Sequence, residues 1–125
     1  MRGDITGVKL SDIFKTKSER LLEFSPNLYL GDGMEGAKLD KIKRRLRRRP
    51  ILANVVLIVL SENASDQLEI ISSSQLMQEF YAHQLLYVAG IASGKDEAMR
   101  IVAEITKDCL AVRKDCSLKE FLKWQ

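Results

Sequence analysis

Two short stretches of the chain, Asn54–Ser61 and Leu85–Ala92, are apolar at both alternating sets of positions and carry Val, Ile, Leu and Tyr almost throughout. A strand with one wet face alternates apolar and polar residues. Unbroken apolarity at strand length therefore predicts two strands covered on both faces. Gln67-Leu68-Glu69-Ile70 does alternate, which predicts an edge strand, and Asn27–Leu30 reads as a fourth, short strand.

Between these runs the apolar positions change to helical spacing. Leu39, Ile42 and Leu46 form a narrow stripe that predicts a helix from Ala37 to about Arg48, stopped by Pro50. Ala98, Ile101, Val102, Ile105, Cys109 and Val112 form a longer stripe, predicting the best helix of the chain through about Lys114. Ser72 and Gln75 fit a capping box for a short helix reaching His83, with Leu76, Met77 and Phe80 inward. Ser117 and Glu120 fit another, opening a terminal helix with Leu118, Phe121 and Leu122 inside. Near the start, residues 1–9 read as a loose arm. Leu10, Ile13, Phe14, Leu21 and Phe24 then recur at helical spacing after Ser11, and Ser25-Pro26 ends that helix.

The order α-β-α-β-β-α-β-α-α over 125 residues implies one α/β domain spanning 1–125. Its centre, β-α-β-β-α-β, has the element order of a ferredoxin-like fold. That fold puts the second strand at a sheet edge and leaves one face open, whereas here the second and fourth strands need cover on both faces. A three-layer α/β/α sandwich around a four-stranded mixed sheet is the preferred reading, with the ferredoxin-like α+β arrangement plus terminal helices as the alternative. The same demand for cover suggests a homo-oligomer.

Charge sharpens the picture in one place. The net charge of +3 conceals eight basic residues between Lys38 and Arg49 against one acid, Asp40. The rest of the chain holds 12 basic and 16 acidic residues, a balance of −4. The helix 37–49 is thus a local cationic stripe, and Lys41, Arg44, Arg45, Arg47 and Arg48 are its candidate partner- or phosphate-binding residues. Cations in a last helical turn also complement the helix dipole, so part of this pattern serves the helix itself.

Two loops resemble phosphate-binding turns. Gly31-x-Gly33-x-x-Gly36 matches the spacing of a dinucleotide fingerprint between a strand and a helix, making it a candidate ligand loop. Asp32 and Glu35 inside it oppose a polyanion, and a turn requiring glycine conformations explains it as well. Gly90–Lys95 has one residue too few for a Walker A loop, and Asp96 stands where Ser or Thr belongs.

Catalytic constellations are thin. His83 is the single histidine, Cys109 falls on an apolar stripe, and Cys116 has only Lys114 and Lys119 near it in sequence. Glu62, Asp66 and Glu69 read as solvated turn acids rather than a cation site, and Ser72–Ser74 as turn and cap residues. No catalytic residue, metal ligand or cofactor is expected. Neither an apolar leader nor a run near the roughly 20 residues of a membrane helix is present, so a cytoplasmic setting is expected. The sequence therefore points to a non-enzymatic interaction or regulatory domain whose basic helix engages an acidic protein surface. Nucleic-acid binding by the same helix, and small-ligand or nucleotide binding at Gly31–Gly36, are the alternatives.

Overall fold

The computed structural model describes residues 21–61, 68–82, 84–113 and 121–122. Expectations for the arm at 1–9, the helix after Ser11, the connector at 62–66, His83, Cys116 and the Ser117 capping box lie outside the described residues. Four strands, β1 (Leu22–Leu30), β2 (Val55–Ser61), β3 (Glu69–Ser72) and β4 (Leu86–Ser93), form one sheet in the order β1-β4-β2-β3. β1 runs parallel to β4, and β2 is antiparallel to both β4 and β3, so the sheet is mixed. Helices α1 (Ala37–Arg48), α2 (Glu79–Ala82) and α3 (Lys95–Arg113), with a 3-10 turn at Ser73–Met77, complete an α/β fold. No helix among the described residues is long and apolar enough to cross a membrane.

The two doubly apolar runs are the two central strands, as their patterning requires. Leu57 and Val59 of β2 join Leu86, Val88 and Ile91 of β4 in one buried cluster, to which α1 contributes Ile42 and Leu46. Ile58 and Leu60 join Ala89 and Ala92 in a second cluster with Ala98, Ile101, Ile105 and Cys109 of α3. Alternate residues of a strand point to opposite faces, so these clusters lie on the two sides of the sheet. The ferredoxin-like alternative is not the topology found: β2 is internal, and the edges are β1 and β3.

Val88 and Ile91 are three residues apart yet enter the same cluster. Ala89 makes this possible. On one side Ile58 pairs with Gly90 and Val59 with Val88; on the other Phe24 pairs with Val88 and Tyr29 with Gly90. Ala89 is thus an extra residue relative to β2, and β1 bulges out by residues 25–28 opposite it; the bulge in β4 resets the alternation.

β1 corrects the expectation of a helix through Leu21 and Phe24. Leu22, Glu23 and Phe24 pair with Leu86, Tyr87 and Val88, and Ser25-Pro26 does not end an element but sits in the irregular stretch before Tyr29. Proline is tolerated there because an edge-strand irregularity demands no ladder N–H from it. The Ser25 hydroxyl takes up local polar groups, accepting from the Asn27 N–H at 3.2 Å and donating to the Leu122 carbonyl at 3.3 Å.

Smaller corrections follow the same logic. Asn54 precedes β2 in a turn at φ 61°, a left-handed conformation that Asn accepts more readily than most residues. The segment after β3 is a 3-10 turn broken at Gln78, not one helix. Leu76 and Tyr81 are consequently the inward residues, while Met77 and Phe80 are 50% and 67% exposed. The Gln75 side chain does return to the Ser72 N–H, at 2.7 Å. On α3, Val112 leaves the stripe and is exposed, whereas Phe121 and Leu122 are buried.

Candidate anionic-partner site

Helix α1 has one buried edge, Ile42 and Leu46, so its cations must leave along the remaining arc. The structure divides them into two sets. The Lys43 ammonium lies 5.1 Å and the Arg47 guanidinium 4.9 Å from the centroid of the Phe24 ring on β1. These residues are one helical turn apart and share the ring, each contact being worth roughly 0.5–1 kcal/mol at a partly exposed site. Arg47 also reaches the Leu22 carbonyl at 3.4 Å. Arg47, a candidate site residue by sequence, is therefore a strut between α1 and β1.

The second set faces solvent. Arg44, Arg45, Arg48 and Arg49 converge with Ile51 on an open cleft of about 600 Å³. Lys41 is not part of it; it borders a neighbouring cleft of about 310 Å³ together with Lys38, Arg45 and the apolar Met34, Leu52 and Val55. Arg45 belongs to both. Among the described residues no carboxylate forms an ion pair with a cation of α1; the ion pair found there joins Arg100 to Glu97 on α3. Four like charges around one open cleft repel one another, the more so at low salt.

Residues after the helix make the wall of the cleft. Arg49 N–H still donates to the Arg45 carbonyl at 2.8 Å, and buried Pro50 then turns the chain out of the helix. Leu52 is held by a two-way clamp: its N–H donates to the Ser73 hydroxyl and that hydroxyl donates to its carbonyl, both at 3.1 Å. Ser73 is 1% exposed, so its hydroxyl works inside the protein. The Asn54 carbonyl accepts from Gly94 N–H at 2.8 Å, fixing the far end of the connector. Arg49 and Ile51 escaped the sequence reading of the site. The signal was Pro50, which forces its two neighbours out on either side of a helix end.

The two phosphate-like loops meet at one side chain. Glu97, 15% exposed, accepts the Ser93 N–H at 2.8 Å through Oε1 and the Asp32 N–H at 3.3 Å through Oε2. These bonds, with a smaller contribution from Arg100, hold its carboxyl below the ordinary glutamate range against an opposing burial effect. A Cβ on Gly31 would collide with that carboxylate. Gly33 and Gly36 adopt φ of 75° and 69°, the conformations the turn into α1 demands. The loop Gly31–Gly36 thus already holds an anion, the chain's own.

No family model, curated protein or solved structure matches the chain. Its chemistry has to be read from its own side chains. On the opposite sheet face, the Tyr29 hydroxyl donates to Asp108 Oδ2 at 2.7 Å. Burial first, and then that hydrogen bond, push the phenol well above its ordinary value. Cys109 is a buried thiol in the second cluster. Among the described residues no group of three His, Cys, Asp or Glu side chains is arranged to hold a metal ion.

Proposed function

We propose that this chain is an interaction domain that engages an acidic protein surface through the arginine cleft at the end of α1. The observation that carries the reading is the convergence of Arg44, Arg45, Arg48 and Arg49 around Ile51 without an internal counter-charge among the described residues. Ile51 is 56% exposed, which gives the cleft an apolar centre inside a cationic rim. Protein interfaces favour that mixture, in which arginine supplies bidentate carboxylate contacts and the apolar residue supplies desolvated area.

Nucleic acid would also satisfy the guanidiniums. Among the described residues the aromatic ring beside α1 is Phe24, and it carries Lys43 and Arg47 rather than standing open to a base. That favours carboxylates over stacked bases.

The test is charge reversal. Wild type and the Arg44→Glu/Arg48→Glu variant are titrated with a fluorescent Glu/Asp-rich peptide and a duplex DNA of equal charge at low salt. Binding of the peptide in preference to the duplex, lost in the variant while its circular dichroism is unchanged, is expected. Equal binding by the variant, or no binding by wild type, would refute the proposal.

A further inference from the structure

The two clefts beside α1 meet at Arg45 and share one wall, the connector that runs from Arg49 to Val55. They differ in chemistry. The arginine cleft is a field of four guanidiniums around one exposed isoleucine. The 310 Å³ cleft has an apolar floor of Met34, Leu52 and Val55 beneath a rim of Lys38, Lys41 and Arg45. Its floor suits an apolar side chain, with room to spare, and its rim suits a carboxylate beside that side chain.

We infer that the two clefts form one groove, and that its occupant is an acidic peptide segment with an apolar anchor. The anchor sits on Met34, Leu52 and Val55, while carboxylates further along the peptide face Arg44, Arg48 and Arg49. This inference rests on the acidic-partner reading above and adds to it the composition and spacing of the partner. Lys41 and Arg48 are seven residues apart on α1, about 10 Å along its axis. An extended peptide advances about 3.3–3.6 Å per residue, so about three residues carry it from the Lys41 rim to the far end of the arginine cleft, and the spacing from anchor to carboxylates is set at three. A Leu-x-x-Glu-Glu type of segment meets both clefts at once. A uniformly acidic segment fills the arginine cleft alone.

The experiment compares two labelled peptides that differ only at the anchor, one with Leu and one with Gln, each with glutamates beginning three residues on. An equally charged duplex DNA is run beside them, all at low salt against the full chain. The Leu peptide is expected to bind at least about tenfold more tightly than the Gln peptide, the worth of burying one large aliphatic side chain. Ala53→Gln, a neutral polar side chain at an exposed position on the wall of the smaller cleft, is expected to reduce that preference while leaving the Gln peptide's affinity within a few-fold. Equal affinity of the two peptides, or a preference untouched by Ala53→Gln, overturns the anchor while leaving the arginine-cleft reading intact. Failure of both peptides to bind overturns the parent reading with it, as does tighter binding of the DNA.

Discussion

The Glu97 carboxylate lies against the bare backbone of Gly31, where any side chain would displace it. The contact joins the loop before α1 to the start of α3, because the same carboxylate takes the Ser93 and Asp32 N–H groups. Charge-assisted bonds of this kind are worth roughly 1.5–3 kcal/mol when buried and less where water competes. Glu97→Ala is therefore expected to cost about 1–2 kcal/mol in urea unfolding.

Gly31→Ala should cost a similar amount in the wild-type background, since it expels the carboxylate. In the Glu97→Ala background there is nothing to expel and φ at residue 31 is not left-handed, so the same substitution should be neutral or stabilising by about 0.4–1 kcal/mol through the unfolded state. Additive effects of the two substitutions would show that the two groups do not meet.

Acid should act through the same residue. A carboxylate with a depressed value in the fold contributes stability above its unfolded value, near 4.5, and that contribution is lost as pH falls through the folded value. Wild type should lose its advantage over Glu97→Ala as pH drops below about 4.5. A difference that stays constant down that range would contradict the assignment.

Tyr29 has the opposite sign. Its folded value is raised from 10.0, so its contribution is complete below pH 10 and disappears as the phenol is forced to ionise at higher pH. Tyr29→Phe should cost about 1 kcal/mol at neutral pH, from one lost hydrogen bond to a carboxylate, and should unfold less steeply than wild type above pH 10. Stability melts across that range read both.

Ser73 links the fold to the groove. Ser73→Ala leaves the half-buried Leu52 N–H without its partner and the Leu52 carbonyl with the Val55 N–H alone, an expected loss of about 1–2 kcal/mol. Because Leu52 and Ile51 share the connector, the variant should also bind acidic peptide more weakly although it keeps every cation. Unchanged affinity would mean that the connector does not shape the cleft.

The central strands and α1 were legible in the sequence because each is specified by many consecutive positions, strand apolarity in one case and a stripe ended by Pro50 in the other. β1 was not. Leu21 and Phe24 fit helical spacing, and only pairing with β4 makes a strand of Leu22–Leu30, a long-range effect that outweighs the local period. That error propagated to the site. With Phe24 assigned to a helix, nothing in the sequence could separate Lys43 and Arg47, which rest on its ring, from Arg44, Arg45 and Arg48, which face outward. The glycine loop was ambiguous for a related reason: its occupant, Glu97, lies more than sixty residues away.

Amide chemical-shift mapping would test the groove most directly. On titrating the isotopically labelled 125-residue chain with the Leu-anchored acidic peptide, the largest perturbations are expected at Arg44–Val55 and Met34, diminishing together as salt is raised. Shifts spread evenly over the surface, or concentrated on the exposed face of α3, would contradict the assignment of this groove as the binding surface.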